Sequence, residues 1–107
     1  MKILEYYTPF MEVPVDLWLD ESLTAVQKAI MAYIWSMTAN KDDNKAIIQS
    51  KELEEITGLD RSNVYRNTKS LEKIGYISKK TVRTEQSTSK VTEYTLNLPY
   101  LTSKYDL

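Results

Sequence analysis

The residues with the clearest chemical potential are the cationic, amide and hydroxyl side chains that crowd residues 61–69. Arginine donates two hydrogen bonds to guanine, asparagine pairs with adenine, and hydroxyls bond to bases or phosphates. One predicted helix presents such groups in its first turns, and they are Arg61, Ser62, Asn63, Tyr65, Arg66 and, one turn later, Lys69. Such a helix end is suited to reading base edges in a DNA major groove, with Lys69 placed for a phosphate. A solvated polar face with no partner is the alternative interpretation.

The positive charge of the chain is segregated around these residues. The whole sequence has a net charge of −1. Residues 59–92 hold eight Lys/Arg against three Asp/Glu, whereas residues 1–58 hold five against ten. For nucleic-acid binding the distribution of charge matters more than its sum. The basic stretch therefore favours double-stranded DNA as a partner, while the acidic half leaves open a basic protein partner instead.

Four further basic residues flank a polar segment that follows this helix. They are Lys79, Lys80, Arg83 and Lys90, and the segment between the last two is TEQSTS at residues 84–89. A hairpin of this composition can lie along a phosphate backbone or enter a minor groove. The alternative is an edge hairpin that lysines keep soluble.

The composition argues against enzyme chemistry. With no cysteine and no histidine, the chain lacks thiolate nucleophiles, imidazole bases and the usual zinc ligands. Adjacent carboxylates are the remaining candidates for a metal site, and we expect each pair to be solvated surface: Asp20 with Glu21, Asp42 with Asp43, and Glu54 with Glu55. We therefore predict that the chain is not an enzyme and binds no cofactor, metal or small-molecule ligand.

Three helices are expected to position the basic residues. Apolar residues recur at helical spacing over about Thr24–Thr38. Ser50 is expected to cap a second helix that ends at Thr57, where Gly58 suits a left-handed stop. Asp60 then caps a third helix over about Arg61–Ile74, whose apolar side consists of Val64, Thr68, Leu71 and Ile74. Two helices joined by a tight glycine turn form a helix-turn-helix.

The remaining segments predict a small sheet and two irregular ends. Tyr76–Arg83 and Val91–Asn97 are β-rich and form a hairpin, and the triplet AII at 46–48 suits a one-bridge contact to the sheet edge. Pro9 and Pro14 make residues 1–19 an extended lead-in, and residues 99–107 are a tail without assigned structure. The 107 residues thus form one α+β domain, with three helices packed on a small antiparallel hairpin sheet.

The aromatic residues can either pack in the core or contact a partner. Core packing is favoured over a single-strand stacking platform for Trp18, Tyr33, Trp35, Tyr76 and Tyr94. Aromatic residues near the termini either cover the sheet or form a homodimer contact, and these are Tyr6, Tyr7, Tyr100 and Tyr105.

No apolar run approaches the roughly 18 residues of a membrane span, and the N-terminus lacks the order of a secretory signal. A cytoplasmic location is expected.

Two segments carry a family resemblance. SKELEEITGLDRSNVYRNTKSLEKIGYI at residues 50–77 resembles the helix-turn-helix and first wing strand of bacterial winged-helix DNA-binding domains. The shared pattern has Ser50, Leu53, Gly58, Leu59, Asp60 and Val64, followed by Leu71, Glu72, Gly75, Tyr76 and Ile77. VPVDLWLDESLTAVQKAIMAYIWSM at residues 13–37 is similar to the lead-in and first helix of phage and plasmid replication proteins and related regulators. Glu54 departs from the alanine that many relatives have there.

The resemblance implies a winged helix-turn-helix whose third helix reads the major groove and whose wing contacts the backbone. It implies a sequence-specific transcriptional regulator or a protein that recognises a replication origin, and fold resemblance does not choose between them. A winged helix that binds protein instead of DNA is the rival hypothesis.

Overall fold

The computed structural model describes residues 13–39, 41–83 and 90–107. Within these ranges the helices are α1 (Val15–Trp18), α2 (Ala25–Thr38), α3 (Ser50–Thr57), α4 (Arg61–Lys73) and α5 (Leu98–Lys104). The strands are β1 (Lys45–Ile47), β2 (Ile77–Arg83) and β3 (Lys90–Leu96). They form an antiparallel sheet in the order β1-β3-β2. The predicted polar tip at 84–89, most of the lead-in, Tyr6 and Tyr7 lie outside the described residues.

Helix α2 is the centre of the core. Its buried residues include Ala29, Ile30, Met31, Ala32, Ile34 and Trp35. Most of them pack in one cluster with Leu53 of α3, Val64 and Leu71 of α4 and Tyr94 of β3. The two helices of the helix-turn-helix are therefore held by a shared apolar core, which fixes the direction in which the outer face of α4 points.

Local hydrogen bonds define where the helices begin. The Gln27 backbone N–H donates to Thr24 Oγ1 at 3.1 Å, and the Thr24 N–H donates to Gln27 Oε1 at 3.0 Å, which makes a capping box for α2. The prediction that Ser50 caps α3 is wrong by one residue, because Gln49 is the N-cap. Ser50 is already helical, and its hydroxyl donates to Glu54 Oε2 at 3.1 Å, while the Gln49 N–H donates to Glu52 Oε2 at 2.7 Å.

The turn between α3 and α4 lies at the predicted residues. Gly58 has φ 74° and is the left-handed C-cap of α3, with its N–H donating to the Glu54 carbonyl at 2.8 Å. Asp60 caps α4, because its Oδ1 accepts the Asn63 N–H at 2.9 Å. Helix α4 ends at Lys73, so Ile74, which the helical spacing places on the apolar side, is instead the C-cap and is 42% exposed.

We expect Gly58→Val to lower the free energy of unfolding by about 2 kcal/mol, because a β-branched residue is strained at positive φ. No atom beyond the two chain neighbours of Gly58 lies within 4 Å of the position a Cβ would take, so backbone strain is the main cause. Gly58→Asn is the matched control and should lower the free energy of unfolding by less, since asparagine tolerates this conformation. Chemical denaturation measures both changes, and equal losses for Val and Asn would show that the turn does not depend on φ at Gly58.

The described part of the lead-in and the C-terminal tail each contain a helix that the sequence does not predict. The prolines predict an extended lead-in, but Val15–Trp18 is helical and buries Leu17 completely. The sequence leaves the tail unassigned, but Leu98–Lys104 is a helix that begins with Pro99 in its first turn and buries Leu101. Proline blocks a helix interior but fits the start of a helix, because the N–H it lacks has no partner there.

The sheet is also larger than a hairpin with one added bridge. Strand β1 pairs with β3 over three residue pairs, from Lys45 with Thr95 to Ile47 with Glu93. The buried Ala46 lies on the core side of this strand, and Ile47 is 43% exposed on the other.

The prediction that Asp20 is solvated is wrong. Asp20 is only 8% exposed, and its Oδ2 accepts the hydroxyls of Tyr76 at 2.6 Å and Tyr105 at 2.8 Å. The Ser22 N–H donates to Oδ1 at 2.9 Å. The carboxylate thus joins the segment before α2 to the base of the wing and to the end of α5.

The aromatic residues mostly serve the core, as predicted. Trp35, Tyr76 and Tyr94 are buried, and Trp18 and Tyr33 are half-buried against the same cluster. Of the terminal tyrosines, Tyr105 is buried with its ring 6.4 Å from that of Trp35, whereas Tyr100 is 44% exposed. Among the described helices, none has the length and apolar character that crossing a membrane requires.

Candidate nucleic-acid interface

The outer face of α4 carries the predicted basic and polar side chains. Val64, Thr68 and Leu71 are buried and anchor the inner face of the helix. The other side exposes the predicted set, which is Arg61, Ser62, Tyr65, Arg66 and Lys69, with Asn63 half-buried beside them. The structure therefore brings the six predicted side chains to one helix and its accessible surface.

The carboxylates at the two ends of α4 are used within the fold. Asp60 Oδ1 accepts the Asn63 N–H at 2.9 Å as the helix cap. Glu72 Oε2 accepts the backbone N–H of Lys79 in β2 at 3.2 Å. Each carboxylate thus has one oxygen bonded to a backbone N–H, and the face between them carries Arg61, Arg66 and Lys69 and no acidic residue.

Strands β2 and β3 extend the basic surface beyond α4. Lys80, Arg83 and Lys90 are exposed. Arg83 lies directly opposite Lys90 in the strand register, whereas Lys80 lies opposite Glu93. Like charges on opposite residues repel, and opposite charges attract. The pair of Arg83 and Lys90 is therefore the part of the wing that gains most from a bound anion.

Lys79 behaves differently from the other wing cations. It is half-buried, and its Nζ donates to Thr68 Oγ1 at 2.9 Å and lies 4.5 Å from the centre of the Tyr65 ring. Burial lowers the pKa of Lys79 from its ordinary value, against the opposing influence of Glu72. Its ammonium group points at α4, so the structure connects this residue to that helix rather than to the solvent-exposed edge.

Two grooves flank the exposed face of α4. One of about 280 Å³ lies between α4 and the sheet and is lined by Tyr65, Thr68, Lys79 and Tyr94, among others. The other, of about 520 Å³, lies between the start of α3 and β3, and its lining includes Lys51, Arg61 and Lys90. The sequence-based prediction of the site does not include Lys51, because this residue belongs to the acidic half of the chain. Its position in the first turn of α3, the helix before the glycine turn, is the signal that could have placed it near Arg61.

The described residues provide no evident metal centre. Among residues 13–39, 41–83 and 90–107, no group of three or more carboxylates comes together in a way that would hold an ion.

The fold is a winged helix-turn-helix, as predicted: α3, Gly58 and α4 form the helix-turn-helix, and β2 and β3 form the wing. Residues 47–97, which contain all of these elements, match the family described as the B-block binding subunit of TFIIIC. The fold is also that of a solved structure from Methanosarcina mazei Go1, described as a possible transcriptional regulator. The two chains are 19% identical, with a TM-score of 0.52.

The superposition with the archaeal structure covers 78% of this chain and 64% of that one. This chain thus spans less than two thirds of the length of the structure it is similar to. No curated protein matches the sequence.

Proposed function

We propose that this chain binds double-stranded DNA, with α4 in the major groove and the wing along the phosphate backbone, and that it acts as a sequence-specific transcriptional regulator. The observation that carries the proposal is that the exposed face of α4 carries three cations and no acidic residue between Asp60 and Glu72, each of which is bonded to a backbone N–H. A merely solvated helix commonly mixes charges of both signs on its outer face. Helix α4 instead has no acid on its face between residues 61 and 71 and presents cations there beside hydrogen-bonding side chains, which suits DNA.

The comparisons support the same function. The matched family is named for binding the B-block, and its match covers the helix-turn-helix and the described strands of the wing. The archaeal neighbour is described as a possible transcriptional regulator, which favours regulation. Recognition of a replication origin stays a prediction from the resemblance to phage and plasmid proteins.

Binding of a random-sequence duplex tests this proposal. Fluorescence anisotropy at about 50 mM and about 200 mM salt should show binding that weakens steeply, with log affinity falling by about 0.9 per phosphate contact for each unit of log salt. A chain that binds no duplex at the lower salt contradicts the proposal. It would favour the rival hypothesis, in which the acidic first half docks a basic protein.

The contribution of the wing is tested by Arg83→Gln combined with Lys90→Gln. If the two cations neutralise phosphates, the slope of log affinity against log salt should become shallower by about 0.9 for each phosphate that is no longer neutralised. Base preference should not change, because phosphate contacts carry no direct sequence information. Lys41→Gln is the matched control, since Lys41 is exposed in the turn before β1 and lies outside the basic stretch.

A slope unchanged by the double substitution would show that the wing is only a solvated edge. A changed preference among target sequences would show that it reads the shape of a minor groove.

A further inference from the structure

Tyr65 is the unusual member of the exposed face of α4. The other exposed members of the predicted set on this helix are polar or charged, whereas Tyr65, which is 55% exposed, carries an aromatic ring. The ring offers flat apolar surface among cations, to which a partner with apolar atoms can bind.

The ring of Tyr65 is held in place by cations from two elements. Lys79 of β2 places its Nζ 4.5 Å from the ring centre, and Lys69, one turn along α4, places its Nζ at 5.8 Å. Ammonium groups at such distances are attracted to the face of an aromatic ring. Contact with Lys79 links the ring to the wing, which restricts the rotamers that it would otherwise sample.

Lys79 is itself anchored at both its ends. Its backbone N–H donates to Glu72 Oε2 at 3.2 Å, and its Nζ donates to Thr68 Oγ1 at 2.9 Å. The Thr68 hydroxyl in turn donates to the Tyr65 carbonyl at 3.0 Å, and Thr68 is buried. The chain of contacts runs from the wing, through the inner side of α4, to the residue that carries the ring.

We propose that Tyr65 reads thymine through its 5-methyl group, and that Lys79 is the positioning residue that fixes the ring for this contact. The inference rests on the proposed function of α4 in the major groove. Of the four bases, thymine alone presents a methyl group there, and apolar side-chain surface is what recognises it. A ring already held before binding loses less conformational entropy when the contact forms.

The first test replaces thymine by uracil, which differs only by the absent methyl group. Duplexes are selected from a random-sequence pool with the unmodified protein, and each thymine of the selected site is then changed to deoxyuridine in turn. Uracil at one of these positions should lower the affinity for the duplex about fourfold, as expected for the loss of one buried methyl group. Tyr65→Ala should bind the thymine and uracil duplexes equally at that position. Tyr65→Phe should keep the ratio, because it keeps the ring.

A ratio that disappears in Tyr65→Phe would overturn the inference, because it would show that the apolar ring alone does not read the methyl group. If no thymine position in the selected site responds to uracil, the inference is wrong while DNA binding stands. If the unmodified protein binds no duplex at all, the proposed function fails and the inference falls with it.

The second test separates positioning by Lys79 from phosphate contact. Lys79→Met keeps the approximate length of the side chain and removes its charge, and Lys79→Arg keeps the cation. We expect Lys79→Met to bring the thymine-to-uracil ratio close to one with the salt slope unchanged, and Lys79→Arg to preserve the ratio. A slope that becomes shallower by about 0.9 with the ratio intact would make Lys79 a phosphate contact instead. Thermal melting of both variants shows whether the fold is retained.

Discussion

Replacement of Asp20 by alanine is expected to lower the free energy of unfolding by about 3 kcal/mol, because it leaves two buried hydroxyls without their acceptor. Tyr76 is 1% exposed and Tyr105 is 8% exposed, so water cannot readily take the place of the carboxylate. The two hydroxyls come from residues 56 and 85 positions away in the sequence. For a domain of this size the loss corresponds to a melting temperature lower by about 10–20 °C.

The neighbouring Glu21 provides the control for this prediction. Glu21 is exposed, and Glu21→Ala should change the free energy of unfolding by less than about 0.5 kcal/mol. Thermal and chemical denaturation of both variants measures the difference. Equal stability of the two variants would mean that the hydroxyls of Tyr76 and Tyr105 do not depend on Asp20.

Acid should act through the same carboxylate. Burial by itself would raise the pKa of Asp20, but hydrogen bonds from Tyr76, Tyr105 and Ser22 outweigh it and hold the pKa below the ordinary 3.8. The folded state therefore binds this proton more weakly than the unfolded state. The stabilisation is present above pH 3.8 and is lost as the pH falls through the lower folded value, so the Asp20→Ala variant should lose less stability over that range.

Arg66→Ala is expected to have the largest effect on DNA recognition. The Arg66 side chain is exposed in the middle of the face of α4, where a base-reading arginine contributes about 1–3 kcal/mol, or roughly 5- to 150-fold in affinity. The free energy of unfolding should change by less than about 0.5 kcal/mol, since the side chain is not part of the core. Competition binding with a selected target and with random duplex measures the loss of preference.

Lys73→Ala serves as the control for Arg66. Lys73 is exposed in the last turn of the same helix, where a cation complements the helix dipole, so its removal should leave the preference for the target unchanged. If Arg66→Ala weakened binding to target and random duplex by the same factor, Arg66 would be a phosphate contact.

Local signals in the sequence predict most of the helix-turn-helix. The apolar spacing of α2, the glycine stop at Gly58 and the cap at Asp60 each depend on residues within a few positions of one another. Helices α1 and α5 are not predicted, because each is short and has a proline at its start. Each is stabilised by the packing of one leucine against the core, Leu17 in α1 and Leu101 in α5, and not by an apolar periodicity that the sequence would reveal.

The site is predictable as a set of side chains but not as an arrangement of contacts. The helical pattern places Arg61, Arg66 and Lys69 on one exposed face, and the structure agrees. A periodic pattern within one helix does not say which side chains of other elements it will contact. The contacts of Lys79 with Glu72 and Tyr65 depend on how β2 returns alongside α4.

The most direct test of the DNA interface is an amide NMR titration of the chain with a short duplex. If α4 enters the major groove and the wing follows the backbone, the largest shift changes should fall on residues 61–69 and on the wing near Arg83 and Lys90. Amides of residues 15–21 should change little, because this segment holds three acidic residues and no basic one. Shift changes concentrated on residues 15–21, or no changes at any duplex concentration, would contradict the assignment of α4 as the recognition helix.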